Sequence, residues 1–134
     1  MFSMKKGHSE KIQIINKTKG KLPRLPFESM KQEVLRKNYE LSLIFIGNAL
    51  SQKLNKTWRK KDKPTNILSF PLEKNKGEIF INLNLVKKQA PRYQRNFPNF
   101  LGFLFIHGLF HLKGMDHSSK IEKREMRIRN MFRI

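Results

Sequence analysis

The spacing of hydrophobic positions changes several times along the chain, and each change marks a predicted element. Four short runs are β-branched or strongly apolar and predict strands, at residues 11–16, 40–48, 66–72 and 77–84. Pro71 interrupts the third run. Because proline has no backbone N–H to donate, this strand is predicted to end there or to lie at an edge of the sheet.

Helical spacing separates these runs. It predicts a helix within residues 27–39, a helical turn at 49–55, a strongly apolar helix at 100–113 and a last helix that begins after Ser118 or Ser119. Residues 58–66 are predicted to be a loop, and residues 86–99 a linker with some helix. Gly114 is expected to adopt the left-handed conformation that ends the third helix.

Strands and helices in this mixed order predict an α+β fold, with a mixed sheet of about four strands packed against helices. A length of 134 residues predicts a single domain, residues 1–134. The longest apolar run, 100–106, is far shorter than the roughly 20 residues of a membrane span. The N-terminus lacks the apolar run of a secretory signal. With no cysteine for disulfides or thiolate ligands, we expect a soluble cytoplasmic protein without disulfide or membrane partners.

The net charge of +19 comes from 29 lysines and arginines against 10 acidic residues. A polyanion, most simply a nucleic acid, is the partner that this charge predicts. Compositional drift in an AT-rich genome is the alternative, because lysine, asparagine, isoleucine and phenylalanine are all abundant. We give the charge less weight for that reason.

Three of the four histidines lie within residues 107–117, in the sequence HGLFHLKGMDH. His107 and His111 share one face of the predicted apolar helix, one turn apart. Gly114 then allows the chain to turn so that His117 approaches the same point. Three imidazoles without a fourth protein ligand are typical of a catalytic zinc site, which keeps one position open. We therefore predict one zinc ion bound by His107, His111 and His117.

Gly108 stands where peptidases with this ligand spacing carry a glutamate. That glutamate acts as the general base of the H-E-x-x-H motif, and glycine has no side chain that could replace it. The sequence thus keeps a zincin-like metal-binding helix and lacks the base of a peptidase.

The histidine motif resembles the H-G-x-L-H-L-x-G-x-D-H signature of the YbeY family of bacterial endoribonucleases. Two further blocks are similar to that family and follow in its order: LNKTWRKKDKPTNILSFPLE at 54–73 and GEIFI at 77–81. The three blocks cover about half of the chain, if the segments between them are included.

The resemblance implies a zinc-dependent endoribonuclease specific for single strands. Such an enzyme would mature the 3′ end of 16S rRNA and act in ribosome quality control. It implies rRNA and the ribosome as partners, together with small-subunit proteins or an assembly GTPase. His107, His111 and His117 correspond to the family's metal ligands, and Arg59 to its functional arginine near the metal.

Other residues have weaker support. Lys60, Lys61 and Lys63 are candidates for contacts to the RNA backbone, although a solvated basic loop would have the same composition. Asp116 would either orient a histidine ligand or hydrogen-bond the turn backbone. Trp58 would either stack on a base or, as we expect, anchor the loop in the core.

Three functions remain in competition at this point. The first is the endoribonuclease, in which the nucleophile is either water activated by the metal or the substrate's own 2′-hydroxyl. The second is a metallohydrolase of another class. The third is a non-catalytic, zinc-stabilised rRNA-binding assembly factor.

Overall fold

The computed structural model describes residues 12–114 and 119–134, and among them it has four strands, five α-helices and one short 3-10 helix. The predicted α+β class is confirmed. The strands are β1 (Ile12–Asn16), β2 (Glu40–Ile46), β3 (Ile67–Glu73) and β4 (Lys76–Asn82). The helices are α1 (Phe27–Leu35), α2 (Asn48–Arg59), α3 (Leu83–Gln89), α4 (Phe97–Leu112) and α5 (Ser119–Met131). The 3-10 helix is Ala90–Tyr93.

The four strands form one mixed sheet in the order β1-β2-β4-β3. The first three strands in this order run parallel, and β3 pairs antiparallel with β4. The strand that contains Pro71 therefore lies at an edge, as predicted, and its pairing is irregular between Pro71 and Glu73. An edge position suits proline because one side of an edge strand has no neighbouring strand, so no carbonyl group there requires a backbone N–H donor.

Helix α4 is buried along most of its length and contacts α1, α5 and strands β3 and β4. The sequence of α4 is apolar on nearly every side, which is the composition of a helix that is surrounded by other elements. Its buried residues join those of α1 and of the central strands β2 and β4 in one hydrophobic core. None of the helices within 12–114 and 119–134 has the length and apolarity needed to cross a membrane.

Several predicted boundaries were wrong. Strand β2 ends at Ile46, two residues before its predicted end, because α2 begins at Asn48. Capping explains three further differences. Helix α2 continues through Arg59, because Lys60 adopts the left-handed conformation (φ 59°) and ends the helix there. Strand β4 stops at Asn82, whose side chain accepts hydrogen bonds from the N–H groups of Asn84 and Leu85 and so starts α3.

Helix α4 begins at Phe97, three residues earlier than predicted, because the side chain of Asn96 caps it. Its other end is as predicted. Gly114 has φ 76°, the left-handed conformation that ends helices. The chain therefore turns directly after the two histidines of α4.

Candidate metal centre

His107 and His111 lie on the same face of α4, and their Nε2 atoms are 3.0 Å apart. Two ligands of a tetrahedral zinc ion, each at 2.0–2.1 Å from the metal, have nitrogen atoms roughly 3.3 Å apart. The two rings are almost perpendicular, at 80°, with their centroids 4.6 Å apart. The geometry of the pair therefore fits two ligands of one metal ion after a small separation of the nitrogens.

The carboxylate of Glu125 on α5 faces the other nitrogen of His107, with its two oxygens 3.2 and 3.3 Å from Nδ1. A carboxylate accepts hydrogen bonds, so Nδ1 of His107 donates and Nε2 keeps its lone pair. A ligating histidine is typically held in this way by a carboxylate behind it. The contact with Glu125 thus favours the tautomer of His107 that carries its proton on Nδ1 and leaves Nε2 available to a metal ion.

Glu125 is buried, and its pKa reflects two opposing effects. Burial raises the pKa of this carboxyl. The hydrogen bond to His107 and the electrostatic interactions with His107, Arg129 and His111 lower the pKa by more, so the net shift is downward. Nη1 of Arg129 lies 3.4 Å from the same carboxylate. Glu125 is therefore held as an anion against His107.

Gly108 is a glycine because α4 packs closely on the sheet at this point. A Cβ atom there would lie 2.8 Å from Cδ1 of Ile67, 3.1 Å from Oγ of Ser69 and 3.3 Å from Cδ1 of Ile79. Each of these distances is shorter than an ordinary carbon contact. The position next to His107 thus faces side chains of strands β3 and β4, and a larger residue there would have to shift these side chains.

His117 and Asp116 lie outside the described residues, so the third ligand and the role of Asp116 stay predictions. Within 12–114 and 119–134, no three histidine or acidic side chains come together as a metal cluster. The carboxylate found behind His107 is Glu125 of α5, which was not identified from the sequence. One sequence feature could have indicated Glu125: it lies between Ile121 and Ile128, two apolar residues on the buried face of the last helix.

A cleft of about 620 Å³ opens over the two histidines. Arg59, at the end of α2, lines it together with His107, His111 and residues 65–70. Nη1 of Arg59 lies 3.5 Å from the backbone carbonyl of Ile67. The structure thus brings Arg59 and the histidines to one cavity, although about 50 residues separate them in sequence.

Lys60, Lys61 and Lys63 are exposed and are not among the described residues that line the cleft. They follow α2 on the loop toward β3. This exposure outside the lining distinguishes them from Arg59, and their contact with RNA stays a prediction.

Four aromatic side chains line the same cleft: Trp58, Phe70, Tyr93 and Phe103. The expected role of Trp58 as a core anchor is wrong, because 65% of its surface is exposed. Tyr93 and Phe103 were not identified from the sequence. Phe103 precedes His107 by four residues, so helical spacing places it next to the histidine and could have indicated it.

The matching family model is Endoribonuclease YbeY, and it spans residues 5–132. The chain belongs to the YbeY endoribonuclease family. It is 43% identical to Endoribonuclease YbeY of Alkaliphilus metalliredigens over 103 residues, which are 69% of this chain and 66% of that protein. It is 35% identical to Endoribonuclease YbeY of Staphylococcus carnosus, over 72% of this chain and 71% of that protein.

A structural comparison gives the same fold. The solution structure of a Thermotoga maritima protein matches 91% of both chains with a TM-score of 0.64 and 23% sequence identity. The aligned segments in the two sequence relatives amount to about two thirds of their length, which leaves part of each relative without a counterpart in the alignment.

Proposed function

We propose that this protein is a zinc-dependent endoribonuclease that cuts single-stranded RNA. One observation carries the proposal: the convergent Nε2 atoms of His107 and His111, 3.0 Å apart, lie in one cleft with Arg59. The names of its YbeY relatives as endoribonucleases support RNA as the substrate. The whole chain, residues 1–134, would act as a single domain with a zincin-like metal helix.

His107, His111 and His117 would hold the zinc ion. When bound, zinc would supply Lewis-acid stabilisation of charge on the phosphate and activation of the attacking hydroxyl. Glu125 would keep His107 in the correct tautomer and orientation through the Nδ1 contact. Gly108 leaves the position after His107 without the glutamate that acts as the general base of a peptidase.

Arg59 would bind the phosphate at the cleaved bond. A guanidinium presents parallel N–H donors that match two phosphate oxygens, and a positive charge fixed in the cleft favours the more negative transition state. Lys60, Lys61 and Lys63 would contact phosphates farther along the strand, where they contribute affinity and not rate.

Family resemblance supports the biological setting of this activity. The substrate would be rRNA, with maturation of the 16S 3′ end and ribosome quality control as the tasks. Ribosomal small-subunit proteins or an assembly GTPase would be the protein partners, and the cytoplasm, where ribosomes assemble, would be the location.

The test combines zinc analysis with cleavage of a single-stranded RNA. Wild-type protein should contain one zinc ion and cut the RNA, and His111→Ala should lose both the metal and the activity. His8→Ala is the matched control, because His8 is the one histidine outside the motif. Full zinc retention by His111→Ala would contradict the metal centre.

The same experiment separates the enzyme from its rival. One zinc ion per chain and tight RNA binding, without cleavage by protein free of contaminating nucleases, would identify a non-catalytic assembly factor. Cleavage that survives complete removal of zinc would show a metal-independent nuclease.

A further inference from the structure

We propose that Trp58 and Tyr93 are stacking platforms for unpaired bases of the RNA strand that lies in the cleft. The inference rests on the proposed function, and it names the part of the substrate that these two rings bind. Both side chains line the cleft over His107 and His111, and they come from different elements, α2 and the 3-10 helix.

Trp58 presents a large apolar ring to solvent. It is 65% exposed and directly precedes Arg59 on the last turn of α2. Its described aromatic contact is with Phe70, at a centroid distance of 6.0 Å and an angle of 61°. Phe70 in turn meets Phe80 of the sheet at 5.7 Å. The indole is thus supported from one side, and most of it stays accessible.

Tyr93 is supported in a different way. Its ring stacks on Phe100, with the centroids 4.6 Å apart and the planes at 21°. Phe100 is fully buried in the core, so it holds this face of Tyr93 in place. Tyr93 as a whole is 52% exposed. A planar ring with one face covered and about half of its surface exposed is available for a second planar group.

Positive charge accompanies the rings. Arg59 follows Trp58, and the guanidinium groups of Arg95 and Arg129 lie 4.5 and 5.0 Å from the ring centre of Phe103, which also lines the cleft. Exposed aromatic rings beside a cationic path are the arrangement by which proteins hold single-stranded nucleic acid, because every base has a π-face that can stack. A base in a duplex is already stacked on its neighbours.

Two consequences distinguish stacking from simple charge attraction. Removal of a stacking ring should weaken binding of a strand that has bases, and it should have little effect on a strand of equal charge that has none. Loss of one base stack typically lowers affinity about fivefold to a hundredfold.

Trp58 is the only tryptophan, so its fluorescence reports on the cleft directly. The probes are two 2′-O-methyl strands of equal length that resist cleavage. One is an oligoadenylate, and the other has abasic residues at all internal positions. Oligoadenylate should quench Trp58 strongly and the abasic strand weakly. Equal quenching by both strands would overturn the proposal.

Variants test the two rings separately by anisotropy of labelled strands. Trp58→Leu and Tyr93→Leu should each weaken oligoadenylate binding by about fivefold to a hundredfold and leave abasic binding within about twofold. Tyr93→Phe keeps the ring and should bind like wild type, which separates stacking from loss of a hydroxyl group. Leu72→Ala is the matched control, an exposed apolar residue outside the described lining of the cleft.

The failures have different meanings. If both leucine variants bind oligoadenylate as wild type does while wild type still cuts RNA, the stacking proposal is wrong and the proposed function stands. If wild type neither binds nor cuts single-stranded RNA, both are wrong. An equal loss of affinity for both strands would show that the rings support the structure of the cleft instead of holding bases.

Discussion

At the scale of single residues, Glu125 determines which nitrogen of His107 faces the cleft. Its carboxylate lies 3.2 Å from Nδ1, while Arg129 approaches it from the next turn of α5. The lowered pKa of Glu125 means that this side chain is an acceptor at neutral pH. The orientation of His107, the first predicted ligand, therefore depends on α5. Among the described residues, α5 provides no predicted zinc ligand of its own.

We expect Glu125→Gln to lower zinc affinity by about tenfold to a hundredfold, because an amide can present its N–H group to Nδ1 and no longer stabilises the charge of a bound metal ion. Competition with a chelator of known affinity measures the change. Glu122→Gln is the control, since Glu122 is an exposed carboxylate on the same helix. Equal zinc affinity in the two variants would show that Glu125 only supports packing.

Arg59 and Lys60 are neighbours with the same charge, and the structure separates them: Arg59 lines the cleft and Lys60 ends the helix outside the described lining. We expect Arg59→Ala to lower the rate of RNA cleavage about a hundredfold or more at saturating protein. Lys60→Ala should lower affinity modestly and leave that rate unchanged.

Single-turnover kinetics with zinc content checked in each variant measures this difference. The reason for it is that an interaction which strengthens in the transition state affects the rate, whereas one made equally to the bound substrate affects affinity. Similar rates for the two variants would remove Arg59 from the chemical step.

At the scale of elements, the sequence predicted those whose hydrophobic pattern is strong and unbroken. Strand β2 and the apolar part of α4 were found because they are buried on nearly every side. The ends of α2 and β4 were missed because local caps decide them. Lys60 has a left-handed backbone that its residue type does not suggest, whereas the Asn82 cap was readable as an asparagine before a helix.

The candidate site shows the same division. Helical spacing was enough to pair His107 with His111, since both lie on one element. Pairing His107 with Glu125 required the packing of α4 against α5, and pairing it with Arg59 required the placement of α2 beside β3. Relations between elements are set by tertiary contacts, which a local pattern in a single sequence does not contain. The resemblance to a family supplied Arg59 instead.

The contact between α4 and β3 leads to a prediction about Gly108. We expect Gly108→Ala to destabilise the protein by about 1–3 kcal/mol, because the added methyl group would overpack a site bounded by Ile67, Ser69 and Ile79. Gly20→Ala is the control, because its nearest atom, Oγ1 of Thr18, is 3.6 Å away and leaves room for the methyl group. Urea unfolding of both variants measures the difference.

A double variant checks the cause. Ile67→Val removes the Cδ1 atom that lies 2.8 Å from the added Cβ. Gly108→Ala combined with Ile67→Val should therefore be less destabilised than the sum of the two single changes. Simple additivity would mean that the cost of Gly108→Ala has another origin than this contact.

At the scale of the whole molecule, the charge and the cleft have to be considered together. The excess of +19 is spread along the chain, and exposed lysines follow Arg59 on the loop between α2 and β3. One exposed ion pair there, Lys56 with Asp62 at 3.8 Å, offsets little of this charge in water. Exposed positive groups next to a cleft favour the binding of a nucleic-acid strand, which carries one negative charge on each phosphate.

Salt dependence measures how many of these charges a bound strand uses. For single strands, the logarithm of affinity falls with the logarithm of salt concentration with a slope of about −0.7 for each phosphate contacted. A strand with roughly five contacts should thus lose about a hundredfold in affinity between about 50 and 200 mM salt. A peptide nucleic acid of the same base sequence is the control, because it has no phosphates and should show almost no slope. If the RNA also showed almost no slope, the excess of lysine and arginine would reflect composition alone, and the cleft would have to hold its substrate without them.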